Sequence, residues 1–581
     1  MRPLARHRLR WFQVLLLPCQ ALALAVAACS ASPARADWPT DPHTNLPVCT
    51  ASLEQDTPVT LADGQGGAII AWADRRAGNL DIYAQRVSAG GAPLWEPGGV
   101  AVCIAPADQQ GAVLASDGAG GVIIAWMDPR DTPFDIYAQR VSAAGTIQWP
   151  VDGVAVCVAP GQQYAPRIAP DDSGGAIIAW VDRRAGYSDI YARRITASGL
   201  LQGSADGDPV CGAAFDQDSP VMVADGTGGA VIVWRDARDD GFTGHLYSQR
   251  LAGNGTLHWA PDGVLLCTAA GDQSKPTIDS DGTGGAVVAW TDTRGGNMKT
   301  YAQRITGSGA LQWTTAGVVQ CSGVGNEWNP AIVSDGASGA IVTWEDYRFW
   351  NVNGADLYAQ RVSASGAPQW LTTGVTVCNN IYGDQLYPQI VTDGAGGAIV
   401  TWQDDRDASL SAVDVYARKL SPAGVLQWTF SGAAVSNAAG DQSMPTLAPD
   451  GSGGAIVAWQ DSRNGYDDIY AQRIKTDGLL GGATVGVPSG APSFLAIAPA
   501  GLNPVRSGSL AVRFTLPSGQ AATIELFDLA GRKLSASDLG AFGEGTHTLK
   551  LAPGRGLSPG IYLVRLRQGP DTREARVVVL D

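Results

Sequence analysis

The sequence predicts an all-β fold on three observations. One marker recurs eight times, each copy carries four strand signals, and Gly and Trp are abundant while Met is scarce. The 581 residues include 73 Gly, 18 Trp and 5 Met, a composition suited to short strands joined by tight turns. Four antiparallel strands in about 54 residues make one blade, so the repeats predict an eight-bladed β-propeller. A different pattern at the C-terminus predicts a separate β-sandwich.

The marker is an apolar run ending in Trp, then x-Asp-x-Arg. Its first copy reads Gly67-Ala68-Ile69-Ile70-Ala71-Trp72-Ala73-Asp74-Arg75-Arg76. The Trp recurs as Trp126, Trp180, Trp234, Trp290, Trp344, Trp402 and Trp459, at steps of 54, 54, 54, 56, 54, 58 and 57. Strand A is predicted as a short segment following a proline, Pro58-Val59-Thr60-Leu61, ending in the Gly-rich turn Asp63 to Gly67. Strand B, Ala68 to Trp72, is apolar without alternation, which predicts burial on both faces. Strand C is Asp81 to Val87. A turn at Ser88 to Gly91 leads to strand D, Leu94-Trp95 and then Val100 to Cys103. Helical solenoids share such periods, but no window here has helical spacing of apolar residues.

The N-terminus predicts how the ring closes. Pro47-Val48-Cys49 matches the Val-x-Val-Cys end of strand D, and the last repeat lacks that end, reading Leu479-Leu480-Gly481-Gly482 instead. The N-terminal strand is therefore expected to complete the eighth blade of a domain over 45–485. The layout resembles bacterial β-propeller repeats of the Asp-x-x-Gly, strand, aromatic strand, Ser-Gly turn type, from about Pro47 to Val485. That resemblance implies a fold and no particular ligand. Cys49, Cys103, Cys157, Cys211, Cys267, Cys321 and Cys378 all occupy one repeat position, where neighbouring blades hold them too far apart for disulfides. They are expected to be buried small hydrophobes.

The first 36 residues read as an export signal. Arg2, Arg6, Arg8 and Arg10 precede an apolar stretch from Val14 to Ala28. Two cleavage sites compete. Val26-Ala27-Ala28-Cys29 resembles a lipobox ending the signal at 28 and offering Cys29 for lipidation. Ala34-Arg35-Ala36 fits ordinary cleavage. The predicted address is the cell surface, outer envelope or exterior. A net charge of −15 argues against nucleic acid as a partner.

The repeat stops near 485, and 486–494 read as a linker. Alternating segments follow at Leu510 to Leu516, Ala522 to Phe527, Thr546 to Leu551, Gly560 to Leu566 and Arg573 to Leu580, which is Ig-sandwich size. Asn503-Pro504, Phe527-Asp528-Leu529-Ala530-Gly531-Arg532 and Leu557-Ser558-Pro559-Gly560-Ile561-Tyr562-Leu563-Val564-Arg565-Leu566 carry a resemblance. They look like the Ig-like C-terminal domain of flagellar hook-capping proteins and type IX secretion substrates, over about 495–581. It implies an Ig-like sorting or attachment domain and contact with secretion machinery.

No catalytic constellation stands out. The five His are scattered, no Gly-x-Ser-x-Gly elbow sits at a strand–helix turn, and no Cys-His cluster suggests a metal, so no cofactor or metal is expected. The pairs Asp74/Arg76, Asp128/Arg130, Asp182/Arg184, Asp236/Arg238, Asp292/Arg294, Asp346/Arg348, Asp404/Arg406 and Asp461/Arg463 recur in every repeat. A reaction needs its groups once, so these are read as structural ion pairs. An axial carboxylate ring holding a cation is the sharper alternative. Loop length varies only between strands B and C, where the longer loops bring Phe242, His245, Phe349 and Trp350, with Trp328 in a neighbouring link. These five are the candidate ligand platform. The expected function is binding or display of an extracellular glycan or protein, without catalysis. A propeller-fold hydrolase or lyase acting on glycans, and a scaffold for envelope proteins, are the alternatives.

Overall fold

In the computed structural model, the residues described are 37–580 except 132, 380–382, 407–412, 430, 482–495, 500–504, 507–509, 517–520, 540–544, 552–556 and 570. Both signal-cleavage readings, Cys29 and Asn503-Pro504 lie outside the described residues. The chain divides into two compact units, Met1–Gly482 and Ala483–Asp581.

The first unit is built from antiparallel sheets that resemble propeller blades, all but two of four strands. The third and seventh count five because their outer strand is broken in two, as Leu201–Gln202 and Asp208–Cys211 both pair with Asp189–Ile195. The first strand of each sheet packs on the first strand of the next, and Gln55–Ala62 packs on Gln442–Pro449, so the series returns to its start. The closing sheet takes its outer strand from the N-terminus. Leu46–Cys49 pairs with Asp468–Ile474, and the Asn45 amide donates to Val435 O at 2.9 Å. Trp38 is buried and its indole donates to Ala89 O at 3.0 Å, as Trp95 does to Ala143 O one sheet later.

In the first repeat strand B, Ala68–Asp74, is buried along its whole length, because sheets cover it on both faces. All eight marker Trp are fully buried. Each can remove roughly 150–250 Å² from water, an upper bound of roughly 4–6 kcal/mol at about 25 cal/mol/Å². Glycine permits this packing. A Cβ on Gly99 (φ 93°) would lie 2.5 Å from the Trp72 ring, and Gly207 (φ 89°) abuts Trp180 in the same way.

Strand A departs from expectation. It runs from Gln55 to Ala62 and passes through Pro58 rather than starting there. The register slips between Asp56 and Val59, and Thr57 takes φ 50°. A bulge at this point leaves the proline's missing N–H with no ladder bond to make. The equivalent residues Ala165, Ser219, Lys275, Asn329, Tyr387 and Met444 also have positive φ, as does Gly111.

In the second unit a three-stranded sheet (Ala496–Pro499, Ala511–Leu516, Gly545–Lys550) and a five-stranded sheet share one core. Val512, Phe514 and Leu516 meet Ile524, Leu526, Val564, Leu566 and Val577 there. Val505–Arg506 joins the larger sheet parallel to Val579–Leu580.

Candidate functional site

All eight Asp-x-Arg pairs close within their own repeat. Asp74 is buried, and its Oδ2 accepts the Trp72 indole N–H at 2.8 Å. Arg76 grips the same carboxylate through Nε at 2.8 Å and Nη2 at 2.5 Å, donates to Gly98 O, and lies 3.9 Å over the Tyr83 ring. Arg130, Arg184, Arg238, Arg294, Arg348, Arg406 and Arg463 contact Asp128, Asp182, Asp236, Asp292, Asp346, Asp404 and Asp461 likewise. Each covers a strand-C tyrosine. These carboxylates are spent on indole and guanidinium partners, so the axial cation ring has no ligands among them. In the first seven repeats a cysteine abuts the guanidinium. Burial pushes the Cys49, Cys103, Cys157 and Cys211 thiols up to about 12, and they stay neutral.

Arg463 keeps the ion pair and differs from its counterparts in its other partners. It holds Asp461 at 2.5 Å, but Ser436 replaces the cysteine, its Oγ 3.3 Å from Arg463 Nη2. The same Nη2 donates to Asn45 Oδ1 at 2.8 Å, and Nη1 donates to His43 O at 3.1 Å. The reason is the displaced outer strand. The N-terminal segment stands where strand D stands in other repeats, and it brings its own acceptors to the guanidinium. Arg463 thus fastens the start of the chain to the last sheet as well as pairing with Asp461.

The five candidate platform residues do not converge. Phe242 is 85% exposed on the fourth repeat's loop. His245 turns inward, its Nδ1 3.0 Å from Gln273 Oε1. Phe349 is exposed beside the short helix Trp350–Asn353. Trp328 and Trp350 do share one cavity. With Tyr347, Asn297, Met298, Gly325 and Asn326 they line a cavity of about 520 Å³ across the fifth and sixth repeats. Trp350 is 53% exposed, and its ring lies 5.4 Å from that of Tyr347, tilted by 41°.

Behind this cleft is a polar chain that the sequence reading missed. The Tyr347 hydroxyl donates to Glu345 Oε2 at 3.0 Å. Glu345 is buried, and its Oε1 accepts from Asn329 Nδ2 and from the Tyr387 backbone N–H, both at 2.8 Å. Lys275 donates to Asn329 Oδ1 at 2.6 Å and lies 4.6 Å over the Trp328 ring. Burial first, and then the Glu345 carboxylate, push the Tyr347 phenol well above its ordinary value, so it is a proton-bearing group at neutral pH. The available signal was contrast between repeats. Glu345 stands where others have Ala73, Met127, Val181, Arg235, Thr291, Gln403 and Gln460, and Tyr347 is the one aromatic at the x of Asp-x-Arg. A second cavity, of about 600 Å³, touches the bulged residues Thr57, Gly111, Tyr387 and Met444 from four different repeats.

Among the described residues, one cluster has metal-ligand composition: Cys321, Glu327 and Asp346, all buried. Its carboxylates already hold cations. Lys299 Nζ is 2.8 Å from Glu327, and Arg348 contacts Asp346 at 2.6 Å.

No family model and no curated protein matches the chain. Solved structures do. One is a polysaccharide lyase, an ulvan lyase bound to a GlcA–Rha3S unit (12% identity, 63% of this chain and 94% of that one, TM-score 0.40). Another is an α-L-arabinanase from Penicillium chrysogenum complexed with arabinobiose (13% identity, 52% and 92%, TM-score 0.33). A third is a protein of unknown function from Dyadobacter fermentans (11% identity, 53% and 93%, TM-score 0.33). One expectation is corrected. The chain was read as a protein without catalysis, whereas the glycan-active structures it resembles are a lyase and a hydrolase, and the absence of enzymatic function is withdrawn.

Proposed function

We propose that the chain binds and cleaves a carbohydrate chain in the cleft formed by Trp328, Tyr347 and Trp350. One observation carries this reading: the exposed Trp350 and the half-buried Trp328 flank a cavity of about 520 Å³ at whose wall Tyr347 is bonded to the buried Glu345. Sugar rings present C–H faces that stack on Trp and Tyr. A neutral phenol can give its proton to the leaving glycosidic oxygen, and the phenolate then takes one back from the water whose hydroxide adds to the anomeric carbon. The test is product release from a panel of neutral and uronic polysaccharides by the native chain and by Tyr347→Phe. Release by the native chain, lowered about 10²-fold or more in the variant, supports the reading. Release unaffected by the variant removes Tyr347 from the chemistry, and binding without release removes catalysis.

We also read the series of sheets as one closed eight-bladed propeller, supported by the N-terminal strand in the last sheet. The C-terminal unit is read as an Ig-like sorting or attachment domain engaging secretion machinery, supported by its two sheets over one core. Residues 1–36 are read as an export signal, with Cys29 as lipid anchor in the lipobox version. Mass spectrometry of the mature N-terminus separates a modified Cys29 from a free Asp37.

A further inference from the structure

Where strand C begins, each sheet offers one polar side chain to the next, and six of the eight are buried aspartates. The pairs are fixed by backbone. The amide of Gln109 donates to Leu80 O at 2.7 Å, that of Gln385 to Ala355 O at 2.8 Å, and that of Gln55 to Asp467 O at 2.7 Å. This sets the first residue of strand C against the first buried residue of the following strand A. In the fourth and fifth repeats the pair is complete. His245 Nδ1 lies 3.0 Å from Gln273 Oε1, and Lys299 Nζ lies 2.8 Å from Glu327 Oε1. Both are a nitrogen donor facing an oxygen.

The other six pairs set an aspartate against a glutamine oxygen. Two acceptors then face each other. The glutamines cannot turn to help, because their Nε2 groups are taken by loop carbonyls. Gln109 donates to Ala107 O at 2.9 Å, Gln442 to Gly440 O at 2.7 Å and Gln385 to Gly383 O at 3.1 Å. Their Oε1 atoms are buried without a donor at Gln55, Gln109, Gln163, Gln217, Gln385 and Gln442, and at none of the positions facing His or Lys. Asp356 is the barest of the acids: both of its carboxyl oxygens are buried without a partner.

We propose that Asp81, Asp135, Asp189 and Asp356, where they enter strand C, are carried as neutral carboxylic acids, each donating its O–H to the glutamine oxygen of the next sheet. A proton resolves the acceptor–acceptor conflict that His245 and Lys299 resolve with nitrogen. A buried carboxyl with no cation of its own is expected to hold its proton. The nearby charges leave it that way. Facing Asp356 are Asp346 and Asp384, which repel its ionised form, and Arg348, which is committed to Asp346. Asp189 has Asp182, Asp216 and Asp262 against Arg184, itself held by Asp182. Burial is the leading cause that lifts Asp81, Asp135 and Asp189 to about 6 and Asp356 to about 7.

The consequence is a fold that loosens as pH rises. A carboxyl whose folded value lies above its ordinary 3.8 holds more protons when folded. Its contribution is complete below that ordinary value and is lost as pH rises through the folded value. The junctions between sheets therefore weaken between about pH 5 and 8, within the array rather than at the cleft.

The test uses the full chain and Asp356→Asn, whose amide N–H₂ supplies a donor that cannot ionise. Melting temperatures are compared at pH 5, 6, 7 and 8. The expected result is a gap in favour of the variant that widens with pH. Infrared difference spectra of native minus variant should also show a protonated-carboxyl band at pH 5 that fades with a midpoint near 7. A gap that stays constant or reverses with pH, or a difference spectrum showing only carboxylate at pH 5, overturns the proposal. If Asp356→Asn does not fold, Asp189→Asn takes its place, with a midpoint near 6.

Discussion

The Asp-x-Arg stations and the aromatic cleft are built on the same strands, and they differ in one respect. Every repeat has a station, and the sixth alone has the cleft's Glu345 and Tyr347. At a station, Asp182 is closed in by the Trp180 indole and the Arg184 guanidinium, with Tyr191 beneath the Arg. Nothing there is left over for a ligand. At the cleft, Trp350 is half exposed and Tyr347 borders open space. In a repeat protein the chain serves as its own control. Identity between copies marks what each sheet needs, and departure from it marks what is particular to one repeat.

Breaking a station should cost the most. Deleting 37–49 removes the outer strand, Trp38 and the Asn45 partner of Arg463 from the last sheet, and the melt should lose cooperativity when followed by calorimetry. Asp182→Ala leaves the Trp180 N–H and the Arg184 charge without their acceptor, and should lower stability by about 3–5 kcal/mol in denaturant titration. Gly207→Ala drives a Cβ into the Trp180 ring at a backbone angle that favours glycine, and should cost about 1–3 kcal/mol in the same assay. At the cleft the signs change. Trp350→Ala removes an exposed ring and should shift stability by no more than about 0.5 kcal/mol.

What could be read in the sequence follows the same division. The strands, the marker Trp and the missing outer strand of the last repeat were legible because each was seen many times against its neighbours. The strand-A bulge was not, since proline reads as a strand boundary and positive φ at Thr57 or Tyr387 leaves no mark in residue type. Arg463 looked like its seven counterparts because its letters match theirs, while its extra partner Asn45 lies 418 residues away in the chain. His245 reads as a loop residue but begins the strand His245–Leu251 with Nδ1 against Gln273 Oε1, and a lone histidine carries no signal of that contact. Glu345 and Tyr347 escaped because they occur once, and a buried carboxylate in a strand pattern looks like a solvated one. The Asp–Gln junctions were visible as repeated letters, but their conflict appears only when two chains of contacts set acceptor against acceptor.

The central claim is that single-copy residues of the cleft, and not the repeated stations, carry the ligand. It is tested most directly by titrating a polysaccharide panel into the native chain and into Trp350→Ala, with a melt of each sample. The account predicts that the glycan bound by the native chain loses about tenfold or more in affinity for the variant, while the two melting temperatures agree. Unchanged affinity, or a loss that tracks a fall in melting temperature, would contradict it.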